Sequence, residues 1–199
     1  MTKFYTDKQK IINWLEKHQV KNYILVPDEK YGFVIDVNGD ADLSDQNLIN
    51  IPVKFNKISG YFGCSNNQLT SLEFCPKTVT DTLNCSYNKL TSLEFNPQIV
   101  GDNFWCNHNK LTSLEFCPQT VNGGFYCSHN KLASLEFCPQ TVGSSFYCND
   151  NPKLKEIQKI TDFKLIYLEH RRILATKFSN KLENELIRES RKKTTKIKI

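Results

Sequence analysis

The chain has 199 residues, of which 39% are hydrophobic and 24% charged, and its formal net charge is +5. That balance fits a folded domain and argues against a disordered or collagen-like chain. No apolar run approaches the roughly 20 residues needed to span a bilayer. The opening residues, Met1-Thr2-Lys3-Phe4, lack the apolar stretch of a secretion signal, so the expectation is an intracellular, cytoplasmic protein with no membrane partner. Charge is unevenly placed: residues 153–199 hold 14 Lys and Arg against 6 Asp and Glu, the rest 12 against 15.

From the N-terminus, residues 6–19 predict an amphipathic helix. Thr6 and Gln9 have capping-box spacing, and Ile11, Trp14, Leu15 and His18 recur at steps of three and four. Residues 23–26 and 33–37 predict two short strands around Pro27-Asp28-Glu29-Lys30. This unit, residues 1–39, is expected to cap the region that begins at residue 40.

From residue 40 to 157 the chain repeats. Leu-Thr-Ser-Leu-Glu-Phe returns every 21 residues, and Cys64, Cys85, Cys106, Cys127 and Cys148 keep the same step. A period in that range marks a stacked solenoid, with about six turns beginning at Leu43 and at each of these cysteines. The leucine columns led by Leu69 and Leu72 are expected inward, with Phe74, Phe95, Phe116 and Phe137 and with Val79, Val100, Val121 and Val142. The cysteines, evenly spaced and without any Cys-x-x-Cys pair, are read as small buried hydrophobes in a reducing compartment. The column Asn67, Asn88, Asn109, Asn130 and Asn151 is polar where burial is wanted. Its amides are expected to satisfy backbone groups at the turn after each strand. Pro76, Pro97, Pro118 and Pro139 end the Leu-Glu-Phe segment.

These residues carry a resemblance. Phe125-Tyr126-Cys127-Ser128-His129-Asn130-Lys131-Leu132-Ala133-Ser134-Leu135 resembles the strand-and-asparagine signature of leucine-rich repeats. The short Cys- and Asn-containing repeats are similar to leucine-rich proteins of bacteriophages and to the recognition domain of bacterial leucine-rich-repeat effectors. The resemblance implies an α/β repeat solenoid: a leucine-rich-repeat horseshoe with a parallel concave sheet, an N-terminal α/β cap and a C-terminal helical cap. It also implies protein recognition, by a phage or bacterial factor that inhibits or modulates a host defence protein. One departure stands out: each valine precedes the strand phenylalanine by four positions rather than three, which points to a different loop entering each strand. The effectors' ligase domain does not fit, because only about 50 residues follow the last cysteine.

On a strand, neighbours alternate faces. With the cysteines inward, the preceding residues face out: Asp42, Gly63, Asn84, Trp105, Tyr126 and Tyr147. Two residues after each cysteine come Asn66, Tyr87, His108, His129 and Asp150. The expected partner-binding surface is Trp105, Tyr126, Tyr147, Tyr87, His108 and His129, bordered by Asn84 and Asp150, because exposed aromatics dominate protein-interface hot spots. The plainer reading is cross-strand stacking that only steadies the sheet. Glu73, Glu94, Glu115 and Glu136 form an acidic column, read as a solvated face or as a docking stripe for a basic segment such as this chain's own tail.

Chemistry finds little footing. Cys106 with His108 and Cys127 with His129 give a Cys-x-His step on adjacent rungs, but the cysteines are expected inward and the histidines near the exposed strand end, so neither a zinc set nor a Cys-His nucleophile pair closes. No glycine-rich phosphate loop or serine elbow is present. The expectation is a non-catalytic protein without cofactor or metal. After the repeats, residues 162–174 and 179–188 predict two helices within a C-terminal unit, 158–190, followed by a basic tail, 191–199. They are read as a lid on the last turn or as a partner-binding or dimerising element. Three functions stay open: a protein-binding module using the concave face, a nucleic-acid-binding accessory using the basic C-terminus, and a self-associating structural protein.

Overall fold

The computed structural model describes residues 4–152, 154, 168, 172, 173, 175–183 and 185. Its elements in chain order are α1 (Lys8–Lys17), β1 (Tyr23–Asp28), β2 (Gly32–Val37), β3 (Ala41–Asp42), β4 (Phe55–Ile58), β5 (Phe62–Gly63), β6 (Thr78–Val79), β7 (Leu83–Asn84), β8 (Ile99–Val100), β9 (Phe104–Trp105), β10 (Thr120–Val121), β11 (Phe125–Tyr126), β12 (Thr141–Val142) and β13 (Phe146–Tyr147). The strands form two sheets. One, the valine sheet, runs β1-β2-β4-β6-β8-β10-β12; the other, the aromatic sheet, runs β13-β11-β9-β7-β5-β3. Apart from the antiparallel β1–β2 hairpin, every pairing is parallel.

Residues 21 apart become neighbours throughout, as in Phe104↔Phe125, Trp105↔Tyr126 and Val100↔Val121. The six strands of the aromatic sheet bound about five turns; most of the sixth turn expected at Cys148 lies outside the described residues. The architecture is a parallel β-solenoid, with no helix between residues 40 and 152. It therefore differs from a single concave sheet alternating with helices. The reason lies in the sequence. Each turn places a strand ending in a β-branched residue, such as Thr120-Val121, five residues ahead of a second one led by a large apolar residue, such as Phe125-Tyr126 or Leu83-Asn84, so two short strands form per turn. The longer connection back holds left-handed residues and a proline, which no α-helix accommodates.

The interior is one continuous core. Phe62, Phe104, Phe125 and Phe146 are buried, with successive rings 5.4–5.6 Å apart where they adjoin. The repeat leucines, the valines from Val79 to Val121 and all eight cysteines are buried with them. Val142, at the last turn, is partly covered.

The asparagine column does what its chemistry predicts. Asn109 Nδ2 donates to the carbonyls of Cys85 (3.0 Å), Cys106 (3.2 Å) and Asn107 (3.3 Å), while its Oδ1 accepts from Leu90 N at 2.9 Å. Asn67, Asn88, Asn130 and Asn151 repeat the scheme. Each amide therefore ties its own turn to the one before it.

The phenylalanine column corrects the sequence reading. Phe74, Phe95, Phe116 and Phe137 all have φ between +65° and +71°. The local cause is a tight turn: the Cys75 N–H donates to Leu72 O at 2.9 Å, with Glu73 and Phe74 as the central residues. Ser71 Oγ accepts from Glu73 N and holds the approach. A positive φ at the third residue of such a turn is normally left to glycine. It points the phenylalanine away from the core, so that Phe95, Phe116 and Phe137 are 50%, 47% and 53% exposed, against 4% for Phe74.

At the N-terminus the helix is α1, shorter than expected, and Asp7 is its N-cap: its carboxylate accepts from Lys10 N at 2.9 Å. Gln9 donates instead to Asn13 Oδ1, so no Thr6–Gln9 capping box forms. Ile11, Trp14 and Leu15 join the solenoid core, with Trp14 6.5 Å from the Phe55 ring. The hairpin extends the valine sheet through β2, which pairs parallel with β4, and Pro27 sits on the edge strand where a missing donor is tolerated. In the C-terminal part, residues 172, 173, 175–183 and 185 are helical, so the break expected between Leu174 and Ser179 is helix at 175–178. Ile173 packs against the core. The tail at 191–199 and most of the first predicted C-terminal helix lie outside the described residues.

Candidate functional site

The outward positions of the aromatic sheet come together as a surface. Trp105, Tyr126 and Tyr147 lie on adjacent strands in direct register. Trp105 meets Tyr126 edge-on at 5.5 Å, and Tyr126 stacks on Tyr147 at 5.3 Å with 13° between planes. Trp105 and Tyr147 are exposed and Tyr126 is half-buried. Tyr126 leans over Gly124: a Cβ there would lie 2.7 Å from its Cε2, so glycine makes room for the ring.

A second ladder runs beside the first. Tyr87 stacks on His108 at 4.1 Å and 10°, and His108 on His129 at 4.0 Å and 14°. His129 Nε2 then meets Asp150 Oδ2 at 3.2 Å. The backbone explains the order of residues. Asn66, Tyr87, His108, His129 and Asp150 all take φ of +51° to +54°. The outer turns fill this left-handed position with Asn and Asp, which tolerate it, whereas Tyr87 does so at a steric cost. Burial, and then the neighbouring His129, hold the His108 imidazole below its ordinary pKa, with Asp150 acting in the opposite direction.

Between the two ladders lies a shallow groove of about 440 Å³, lined by Trp105, Tyr126, Tyr147 and His129 together with Asn107, Ser128 and Asn149. Six of the eight residues expected at the site are thus assembled: Trp105, Tyr126, Tyr147, Tyr87, His108 and His129. Asp150 closes the histidine ladder. Asn84 is placed differently. It is buried, and its Oδ1 accepts from Ser86 N at 3.1 Å and from Ser86 Oγ. The turn before it is covered by Tyr61, whose ring would lie 2.6 Å from a Cβ at Gly63. The outward column is therefore covered at Gly63 and Asn84 and open from Trp105 onward, with Asp42 exposed at its other end.

Asn107, Ser128 and Asn149 do not stand out in the sequence. The signal that could have found them is their place directly after Cys106, Cys127 and Cys148, which alternation assigns to the same outer face. Ser128 donates to Asn149 Oδ1 at 2.6 Å, so the groove floor is a polar strip between two aromatic walls. The thiols beneath lie in the opposite direction. Burial pushes Cys85, Cys106 and Cys127 well up from their ordinary value, and Cys148 to about 11, so at neutral pH none is a thiolate.

Two further grooves flank α1. One is lined by Trp14, Lys17, His18, Gln46 and Leu48 among others, and the second by Phe4, Thr6, Asp7, Lys10 and Asn13 with shared neighbours. Neither gathers a repeated column of side chains. Among the described residues, no helix is long and apolar enough to cross a membrane. No family model matches the chain, and no curated protein or solved structure matches it either.

Proposed function

We propose that this chain is a non-catalytic binding module that recognises a protein through the groove between its two aromatic ladders. The observation that carries the reading is the exposed, in-register series Trp105, Tyr126 and Tyr147. Rigid aromatics on a sheet offer large contact area with little side-chain entropy to lose, and Trp and Tyr anchor most interface hot spots. The polar strip of Asn107, Ser128 and Asn149 adds donors and acceptors for a partner's backbone, as a site reading an extended segment needs. The leucine-rich-repeat resemblance also supports a protein partner, and by analogy a host protein whose activity is blocked by occlusion.

Among the described residues the groove walls carry no lysine or arginine, which favours a protein over a nucleic acid whose phosphates would need neutralising. The test is a pull-down from cells of the native host, comparing the wild-type chain with a Trp105→Ala/Tyr126→Ala variant and adding a single-stranded RNA titration. A specific protein captured by wild type and lost by the variant supports the reading. A partner retained undiminished by the variant, or tight RNA binding with a steep salt slope, overturns it.

A further inference from the structure

The Glu-Phe dipeptide recurs at Glu73-Phe74, Glu94-Phe95, Glu115-Phe116 and Glu136-Phe137, but only the first is covered. Its cover is instructive. Tyr31 from the β1–β2 turn sits edge-on to Phe74 at 5.9 Å, and Phe4 adds a ring at 5.2 Å. Lys30 lies over the Tyr31 ring at 5.0 Å, and Glu73 is among the charges acting on it. A Lys-aromatic dipeptide thus answers a Glu-Phe dipeptide, ring against ring, with the lysine close enough to feel the Glu73 charge.

The next three dipeptides have no such answer. Phe95, Phe116 and Phe137 form an exposed apolar stripe, each in a strained left-handed conformation. Among the described residues no cation pairs with Glu94, Glu115 or Glu136. A contiguous exposed apolar stripe with charge along one side marks an interaction surface.

The chain itself holds the complement. On the C-terminal helix, Lys177-Phe178 and Lys181-Leu182 repeat the Lys-apolar dipeptide one turn apart, and all four residues are exposed. Four helical residues rise about 6 Å, close to the 4.7–4.9 Å between parallel strands, so successive dipeptides can meet successive turns. Glu183 and Glu185 lie on the same helix, but residues 153–199 as a whole carry an excess of eight positive charges. Within one chain both surfaces stay open, since Phe178 and Leu182 are exposed while Ile173 of the same helix is held against the core.

We infer that the Glu-Phe stripe at Glu94-Phe95, Glu115-Phe116 and Glu136-Phe137 is the docking surface for the Lys-Phe/Lys-Leu helix of a second copy of this chain, in a reciprocal dimer. This surface is separate from the aromatic groove and is independent of the function proposed for it.

The experiment is sedimentation of the full chain over a sub-micromolar to hundred-micromolar series, with two charge-reversed variants. One is Glu94→Lys/Glu115→Lys/Glu136→Lys and the other Lys177→Glu/Lys181→Glu. All five positions are exposed, so circular dichroism should match wild type, and Leu182→Ser serves as a second helix variant. Wild type should dimerise, less tightly as salt rises. Each charge-reversed variant alone should dimerise at least ~10-fold more weakly, and mixing the two should restore a heterodimer, because both reciprocal contacts then pair opposite charges. Trp105→Ala/Tyr126→Ala should dimerise as wild type does. The inference is overturned by a wild-type chain that stays monomeric throughout, by a dimer indifferent to both reversals, or by a cross-link from position 116 to position 182 within a single chain.

Discussion

Phe74 and Phe116 occupy the same place in turns 42 residues apart, with the same positive φ and the same preceding glutamate. One is buried under Phe4 and Tyr31, and the other is half in water. The backbone of the repeat therefore sets where a side chain points but not what becomes of it. Burial at this corner depends on whether a neighbouring segment supplies a partner. The same holds on the aromatic sheet, where Tyr61 covers the turn at Gly63 while Trp105, two turns on, stands open.

The sharpest contrast lies inside one turn. Phe125 is fully buried between Phe104 and Phe146, nine residues from exposed Phe116. Phe125→Ala should cost about 3–5 kcal/mol in a urea titration. Phe116→Ala should cost less than about 0.5 kcal/mol, as surface changes do. Near-equal losses would mean that the two phenylalanines share one environment.

Asn109 comes next. Replacing it with alanine leaves the buried Leu90 N–H without its partner, which costs about 1–3 kcal/mol, and removes one of the two amides that donate to Cys85 O, a lost hydrogen bond worth about 1 kcal/mol since Asn88 Nδ2 remains. A loss of about 2–4 kcal/mol is expected, with faster amide exchange at Leu90. A variant as stable as wild type would show that the asparagine ladder does not join the turns.

Between the two ends of the phenylalanine column, Phe74→Ala should lose about 1.5–3 kcal/mol, the worth of a buried aromatic. Phe116→Gly should gain about 0.5–1 kcal/mol, since glycine relieves the left-handed strain at some entropic expense. If Phe116→Gly destabilises in dilute monomer, the exposed ring is making contacts that the structure does not contain.

Much of this is legible in the letters, and what is not has a physical reason. The 21-residue register, the inward cysteines and the role of asparagine come from repetition plus the rule that buried polar groups need partners. The phenylalanine column misleads because Leu72 and Phe74, two apart, look like one face of a strand. Only the Leu72–Cys75 turn, with its positive φ, reverses Phe74. Phenylalanine gives no warning of such a turn, whereas glycine there would have. The second sheet is foreshadowed by the unusual valine-to-phenylalanine spacing, which by itself suggests only a change of loop. The aromatic groove is legible because alternation on a two-residue strand leaves a single outward position.

Asn96 tests the comparison of turns from another side. It replaces the cysteine found at Cys75, Cys117 and Cys138, is buried, and its Oδ1 has no hydrogen-bond partner. Its Nδ2 donates to Pro97 O at 2.8 Å. Asn96→Cys should raise stability by about 1–2 kcal/mol, because it removes a buried unsatisfied acceptor and completes the thiol column. A loss on substitution would point to an acceptor role for that oxygen in the folded chain.

The histidine ladder gives the smallest effect and a defined sign. His108 titrates below the ordinary 6.5, first because of burial and then because of His129, while Asp150 opposes the shift. Above about pH 6.5 His108 is neutral in both folded and unfolded chains and contributes nothing to pH dependence. As pH falls below that value the unfolded chain takes up the proton first, so stability drops until the folded His108 is protonated at its lower pKa. Asp150→Asn removes the opposing charge and should move the His108 titration further down, read from its ring-proton shifts by NMR. An upward move would mean that Asp150 does not act on His108 as a direct opposing charge.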